Sequence, residues 1–247
     1  MPYITAGWSA PANIGALTTT RLGGSSVLNY HSNNLAMHVG DSQDTVLGNR
    51  NKLVQTLSLP QQPQWLMQTH SNQCIVVENT VDRSVDAAVT RRADCVLAVM
   101  TADCLPILLC DQKGTEIAAI HAGWRGLAAG IIENTLKKMN NKPGALLAWT
   151  GPAICQHCFE TGDDVWQIFQ AQYPYATQAF HREKAKQFVD LPGMAELILK
   201  AHGVDAVYHS GLCTFEQHKT FYSYRRQAKT GRIATLIWFK QGDSYDT

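Results

Sequence analysis

The stretch CVLAVMTADCLPILLCDQKGTEIAAIHAGWRG, residues 95–126, decides the fold of this chain. It contains three apolar runs, 95–101, 105–110 and 116–121, and each has the length of a buried β-strand. Only short polar segments separate the runs, so strand follows strand without a helix between them. Such direct connections favour a mixed β-sheet over the parallel sheet that alternating strands and helices build.

Similar patterns on both sides of this stretch predict the remaining elements. Apolar runs and period-2 alternation predict strands at 12–19, 64–69, 74–79, 145–150, 205–209 and 233–239. Helical periodicity predicts helices at 43–57, 126–140, 163–172 and 192–202. No internal repeat and no low-complexity linker divides the chain. We therefore predict a single α+β domain spanning residues 1–247.

The composition is that of a globular protein without a strongly charged partner. Of 247 residues, 45% are hydrophobic and 17% are charged, which excludes a disordered chain. The net charge of +1 gives no overall field for nucleic acid or a membrane surface. No signal-peptide pattern opens the sequence, and the odd count of seven cysteines favours reduced thiols. We expect a cytoplasmic protein with no nucleic-acid and no membrane partner.

Three residues with metal-binding side chains lie where predicted strands end. His70 lies in QTHS (68–71), Cys104 in TADCLP (101–106) and His121 in HAGWRG (121–126). Two imidazoles and one thiolate suit a borderline-soft metal and leave one coordination position open. Taken singly, each histidine also fits a hydrogen-bonded core residue, and Cys104 fits an inert thiol or a nucleophile beside a histidine. The three strand-end placements together favour one shared site.

The neighbours of these residues suggest supporting roles. Asp103 points away from Cys104 if the strand continues, and we expect it to orient a histidine ligand through the second ring nitrogen. The predicted strand that ends at His121 is followed by a glycine-containing turn and a helix, which is a geometry that presents backbone N–H groups to an anion.

Arg50 lies on the apolar stripe of the predicted helix 43–57, three residues after Leu47 and four before Val54. A guanidinium on a core-facing stripe needs an anionic partner, because burying it unpaired is costly. The pattern leaves two interpretations open. Arg50 is either a structural residue, ion-paired or reaching the rim of the core, or an anion-binding residue of a functional site.

Two further motifs are less specific. Cys155-Gln156-His157-Cys158 is half of a zinc knuckle, and no second Cys-x-x-Cys pair follows. Cys213 and His218 would complete it only if the fold brought them there, so an ordinary loop is expected. The segment 219–232 carries five basic residues, two tyrosines and no acidic residue. Such a run most often belongs to a solvated loop, and a local contact with phosphate is the alternative interpretation.

Taken together, the motifs resemble a family variously called YfiH-like, laccase-domain or multicopper polyphenol oxidase, purine nucleoside phosphorylase and peptidoglycan editing factor. The resemblance covers nearly the full chain. It rests on TRLGG (20–24), NL (34–35), HVGD (38–41), NR (49–50), QTH (68–70), TADCLP (101–106), HAGWRG (121–126), GPAI (151–154), FETG (159–162) and SYRR (223–226).

The resemblance implies a fold of mixed β-sheets packed in layers with flanking helices, in the order α/β/β/α. It implies that His70, Cys104 and His121 are the catalytic residues and the ligands of a metal, usually zinc, with copper an alternative. Arg50, Asn34 and Arg125 are the substrate- and phosphate-binding residues that it implies. We expect a monomer or a weak homodimer.

The implied reaction is phosphorolysis of purine nucleosides to the free base and ribose 1-phosphate, with adenosine deamination as a second reaction left open. Three alternatives also remain open. They are a Cys/His amidase acting on peptidoglycan precursors, a single-copper polyphenol oxidase, and a nucleoside-binding module without activity. Multicopper catalysis is not expected, because the nine histidines include no His-x-His pair.

Overall fold

The three apolar runs of residues 95–126 form strands β6 (Val96–Thr101), β7 (Leu105–Asp111) and β8 (Ile117–Ala122) in the computed structural model, which describes residues 1–240. β7 and β8 pair as an antiparallel hairpin, but β6 belongs to a different sheet. The chain therefore crosses from one sheet to the other between Thr101 and Leu105. At this crossing Asp103 has a φ of 88°, in the left-handed region.

The first sheet has five strands. In pairing order they are β1 (Tyr3–Thr5), β2 (Ile14–Thr19), β14 (Ile233–Phe239), β6 and β3 (Gln64–Trp65). β14 lies antiparallel between β2 and β6, whereas β3 runs parallel to β6. The C-terminal strand therefore completes a sheet that begins with the first strand of the chain.

The second sheet has six strands. In pairing order they are β13 (Ala206–His209), β9 (Leu146–Thr150), β7, β8, β5 (Ala87–Thr90) and β4 (Cys74–Val76). A third, small sheet consists of β10 (Glu160–Thr161), β12 (Lys186–Val189) and β11 (Phe180–Glu183). Parallel and antiparallel pairs occur together in the second sheet, which confirms the mixed sheet predicted from the direct strand connections.

Within residues 1–240, five α-helices accompany the sheets: α1 (Gln43–Leu57), α2 (Trp124–Ala128), α3 (Ile131–Leu136), α4 (Asp163–Gln172) and α5 (Leu191–Ala201). The bounds of α1 and α4 agree with the prediction, and those of α5 are shifted by one residue. The prediction of a single helix at 126–140 is wrong. The segment is divided into α2 and α3 because Gly130 has a φ of 88°, which an α-helix does not contain.

The two large sheets pack face to face over a shared apolar core. Leu97 and Ile237 of the first sheet meet Leu108 and Trp149 of the second in this core. α1 covers the outer face of the first sheet, and the other four helices pack on the outer face of the second. This arrangement confirms the predicted α/β/β/α layers. Within residues 1–240, no helix has the length and apolar character needed to cross a membrane.

Candidate metal centre and its cavity

His70, Cys104 and His121 converge at the place where the chain crosses between the sheets. The Sγ atom of Cys104 lies 3.7 Å from Nε2 of His70, and the rings of His70 and His121 have centroids 4.8 Å apart. His121 is buried, Cys104 is half-buried and His70 is exposed. The centre therefore opens to one side.

The donor set and its spacing fit zinc. One potential ligand atom of each residue lies within 4.8 Å of the other two. In a tetrahedral zinc site, a sulfur at about 2.3 Å and a nitrogen at about 2.0–2.1 Å from the ion lie about 3.6 Å apart. The separation of 3.7 Å between Cys104 Sγ and His70 Nε2 is close to that value. The residues present would hold zinc with one position left for a substrate or water.

Gly123 allows the turn after β8 to pass close to this centre. A Cβ atom at position 123 would lie 3.1 Å from Cys104 Sγ and 3.1 Å from a ring carbon of His70. A side chain at position 123 would therefore press against both Cys104 and His70. The following helix α2 has only five residues, so the anion site expected at its N-terminus is not supported by a helix of sufficient length.

Asp86 orients the centre, a role that sequence reasoning assigned to Asp103. Oδ1 of Asp86 lies 2.7 Å from Nδ1 of His121, which leaves Nε2 of that ring free for a metal. The same carboxylate accepts the backbone N–H groups of His70 at 3.0 Å and Ser71 at 2.7 Å. One fully buried carboxylate therefore positions both histidines.

The prediction for Asp103 is wrong. Its carboxylate accepts hydrogen bonds from the hydroxyl of Thr214 at 2.7 Å, the hydroxyl of Ser223 at 2.9 Å and the backbone N–H of Arg225 at 2.7 Å. Because Asp103 adopts a left-handed conformation, its side chain turns towards the segment 214–225. Asp103 ties this segment to the crossing that carries Cys104.

Without a metal, the neighbouring side chains of Asp86, His121 and Cys104 stabilise one another's charged forms. We call this row of side chains the charged chain. Burial opposes ionisation of Cys104, but the charge of His121 and hydrogen bonds from His121 and His70 lower the pKa of the thiol to about 6. Burial likewise opposes protonation of His121, but the Cys104 charge and the bond to Asp86 raise its pKa to about 9. At neutral pH the pair is thiolate and imidazolium.

A cavity of about 450 Å³ opens in front of this centre. Its walls combine aromatic and cationic side chains, which are Trp124, Phe159, Tyr224, Arg125, Arg225 and Arg232, with His38 and Gln68 beside them. The guanidinium of Arg125 lies 4.3 Å from the ring centroid of Trp124, and Arg225 lies 5.3 Å from that of Phe159. Three arginines thus face the same space as His70, Cys104 and His121.

The residues predicted to bind substrate take different places. Arg125 lines the cavity. Arg50 is absent from its wall, stacks 3.9 Å above the ring of Trp65 and donates from Nε to the carbonyl of Leu35 at 2.9 Å. Burial lowers the pKa of Arg50 to about 10. In the described part of the chain it forms no carboxylate ion pair, so a structural ion pair does not explain it.

Asn34 is fully buried and supports the cavity from behind. Its amide donates to the carbonyl of Ala36 and to Asp41, both at 3.0 Å, and its carbonyl oxygen accepts the backbone N–H of Arg232 at 3.0 Å. These bonds occupy both the amide nitrogen and the carbonyl oxygen of Asn34, and the residue does not line the cavity. It holds the segment that presents Arg232.

His38 and Arg232 are cavity residues that sequence reasoning did not single out. Burial, followed by the charges of Arg232 and Arg50, lowers the pKa of His38. The available signal was the resemblance motif at 38–41 for His38 and the basic run at 219–232 for Arg232. That run is only in part a solvated loop, because Arg225 and Arg232 line the cavity.

Comparison with known proteins gives a consistent picture. The model of the family described as "Multi-copper polyphenol oxidoreductase laccase" matches residues 15–240. A protein named purine nucleoside phosphorylase YfiH from Escherichia coli is 41% identical over 94% of this chain and 96% of its own length. A protein named purine nucleoside phosphorylase from Haemophilus influenzae is 42% identical over 97% and 100%. A Neisseria meningitidis crystal structure superposes with a TM-score of 0.92 at 43% identity, covering 98% of this chain and 100% of that one.

Proposed function

This chain belongs to the multi-copper polyphenol oxidoreductase laccase family, and we propose that it is a purine nucleoside phosphorylase that transfers ribose from a purine nucleoside to inorganic phosphate. The relatives that carry this name cover nearly the whole chain at about 40% identity. One observation supports the proposal most strongly. Aromatic faces, arginines and a His₂Cys centre line a single cavity.

The cavity suits both substrates. A purine is flat and stacks on aromatic side chains, which Trp124, Phe159 and Tyr224 provide. Phosphate is recognised by guanidinium groups, which donate several hydrogen bonds in a fixed plane. Arg225 and Arg232 donate to backbone carbonyl oxygens, and within residues 1–240 neither forms a direct ion pair with a carboxylate. A phosphate bound between them would complete the charge balance.

The reaction needs alignment of two substrates. A phosphate oxygen forms a bond to C1′ of the ribose while the bond from C1′ to N9 breaks, and the purine leaves with the electron pair and takes up a proton. Arginines that hold phosphate against the ribose remove the entropic cost of this encounter. His38, whose pKa is lowered, is neutral at pH 7 and offers both a donor and an acceptor nitrogen to a bound substrate.

His70, Cys104 and His121 would hold zinc at one end of the cavity, where it supplies a Lewis acid for a substrate oxygen. Asp86 fixes the orientation of His121 for that role. We propose zinc as the native metal. Copper is the alternative, so the zinc and copper contents of the purified protein are measured together. The cytoplasmic location, the monomeric or weakly dimeric state and the lack of nucleic-acid partners stay predictions.

The test is a substrate assay on protein of known metal content. Inosine and adenosine are incubated with and without phosphate, and nucleosides, bases and ribose 1-phosphate are separated by chromatography. We expect hypoxanthine and adenine to appear only with phosphate, in equal amounts to ribose 1-phosphate. Base release that does not need phosphate would refute phosphorolysis. Conversion of adenosine to inosine in either buffer would show a deaminase reaction at the same site.

The charged chain of Asp86, His121 and Cys104 favours a second candidate reaction. A thiolate beside an imidazolium is the arrangement of cysteine hydrolases, in which the sulfur attacks an amide carbonyl and the histidine protonates the leaving amine. The two candidate activities are distinguished by their dependence on the metal. An amidase of this kind cleaves a muropeptide amide best in the metal-free protein, whereas the phosphorylase loses activity when the metal is removed.

A further inference from the structure

A second cluster of metal-binding side chains lies outside the centre described above. Cys155, His157, Cys158 and Glu216 each place one potential ligand atom within 4.8 Å of the others. Sγ of Cys155 lies 3.4 Å from Nε2 of His157, and that nitrogen lies 2.7 Å from a carboxylate oxygen of Glu216. The first three residues lie between β9 and β10, and Glu216 lies beyond β13.

Cys213 lies beside this cluster, on the same segment as Glu216. Its sulfur accepts the backbone N–H of Cys155 at 3.4 Å and that of Glu216 at 3.5 Å. The thiol of Cys155 interacts with the thiols of both Cys158 and Cys213. Cys213 is buried, and Ala153 forms a β-bridge with it. Two backbone N–H groups therefore fix the position of this buried sulfur beside Cys155 and Glu216.

We propose that Cys155, His157, Cys158 and Cys213 form a second metal site, a closed zinc site of the Cys₃His type. Three sulfurs and one imidazole nitrogen fill four tetrahedral positions, which is the donor set of structural zinc. The distance of 3.4 Å from Cys155 Sγ to His157 Nε2 is near the spacing of about 3.6 Å that tetrahedral zinc bonds produce. None of the three cysteines forms a disulfide bond.

The site would hold two segments that shape the cavity. Ile154 and Phe159, on either side of the cluster, line the cavity wall. Thr214, the neighbour of Cys213, donates its hydroxyl to Asp103 beside Cys104. A metal that joins 155–158 to residue 213 therefore stabilises the cavity without contacting substrate. Its loss is expected to raise the KM for nucleoside and to lower the melting temperature.

Metal counting tests this proposal directly. Protein purified under anaerobic conditions with zinc present is expected to contain two zinc ions per chain by mass spectrometry. Cys158→Ser and Cys104→Ser are each expected to contain one, and the double variant close to none. His157→Ala is compared with His181→Ala, an exposed histidine outside both clusters, and only the first is expected to lose one zinc. Glu216→Ala is expected to keep both.

Cobalt substitution distinguishes the two sites by the number of thiolates around the metal ion. Co²⁺ bound by three thiolates gives far stronger sulfur-to-metal charge-transfer absorption than Co²⁺ bound by one thiolate. We expect the wild type and Cys104→Ser to show the strong bands and Cys158→Ser and Cys213→Ser to lose them. One zinc per wild-type chain that disappears in Cys104→Ser, or a Cys155–Cys158 disulfide in anaerobic protein, would overturn the proposal. Loss of zinc in Glu216→Ala but not in His157→Ala would overturn the assignment of His157.

Discussion

Asp86 is the residue on which the geometry of the first centre depends most. Its carboxylate is fully buried and accepts hydrogen bonds from His121, His70 and Ser71. These contacts fix one ring directly and the backbone of the other. A buried carboxylate of this kind sets both the tautomer and the direction of a metal-binding imidazole.

Asp86→Asn is expected to reduce zinc affinity by about 10- to 100-fold, because the amide is a weaker acceptor for the imidazole N–H. Competition with a chromophoric chelator measures this change. Asp103→Asn is the matched control, since Asp103 contacts the segment 214–225 and no histidine. Equal losses in the two variants would contradict the role of Asp86.

Cys104 is expected to be reactive at unusually low pH in the metal-free protein. Its pKa is lowered to about 6, so the thiolate predominates above pH 6 and is lost as the pH falls through 6. Iodoacetamide labelling, mapped by peptide mass spectrometry from pH 5 to 9, should give a half-maximal rate near pH 6. In His121→Ala the midpoint should move upward. An unchanged midpoint in that variant would exclude His121 as the cause.

Arg232 is expected to contribute to phosphate binding. Arg232→Gln removes a guanidinium from the cavity wall, and a hydrogen bond to a charged group contributes about 1.5–3 kcal/mol. The KM for phosphate should rise by about 10- to 100-fold with a smaller effect on the KM for inosine. Arg182→Gln, on the exposed strand β11, is the control and should leave both constants unchanged. The charge of Arg50 helps to lower the pKa of His38, so Arg50→Ala in the same assay shows whether this influence changes the KM for phosphate.

At the scale of elements, the break between α2 and α3 divides the predicted single helix into two short helices, and both pack on the second sheet. The apolar side chains Leu127 of α2 and Ile131 of α3 both reach the core under that sheet. Residues four apart also share a face in a continuous helix, so the break changes the direction of the helix rather than the face that it buries. Gly130 supplies the left-handed conformation that resets the direction.

Gly130→Ala and Gly48→Ala are expected to have opposite effects. At Gly130 the φ of 88° is unfavourable for alanine, so the free energy of unfolding should fall by about 1–2 kcal/mol. Gly48 lies within α1, and an added Cβ meets nothing within 4 Å. Alanine there should raise the free energy of unfolding by about 0.5–1 kcal/mol. Urea denaturation measures both, and two changes of the same sign would contradict this account.

At the scale of the whole molecule, the two large sheets share one core. Leu108 of β7 is completely buried there, beside residues of both sheets. Leu108→Ala should lower the free energy of unfolding by about 2–5 kcal/mol through lost burial and a residual cavity. Leu47→Ala, at a position 47% exposed, is the control and should change it by less than about 0.5 kcal/mol.

The same unfolding experiment tests the prediction of a single domain. Because the sheets bury each other's inner faces, circular dichroism and tryptophan fluorescence should report one coincident transition, and Leu108→Ala should shift both together. Two separate transitions, with only one of them moved by the substitution, would show independently folding halves.

Local periodicity allowed much of the fold to be predicted. Apolar runs and the spacing of apolar residues within short windows of sequence predicted strands β6, β7, β8 and β14 and helices α1 and α4. β5 was missed because Ala87-Ala88-Val89-Thr90 begins with residues of low strand propensity. The small sheet of β10, β11 and β12 was missed because its strands are short and partly exposed.

From the sequence alone, local patterns indicated a mixed α+β fold and placed His70, Cys104 and His121 at strand ends. The order of the layers and the role of these residues as metal ligands were implied by the family resemblance. Only the tertiary structure decided that β6 and β7 enter different sheets, that Asp86 rather than Asp103 supports the centre, and that Cys213 joins Cys155. These pairings connect residues 35 to 58 positions apart or depend on a single left-handed residue at the crossing. Side-chain contacts over such separations are set by how the sheets pack, which no periodicity in the chain records.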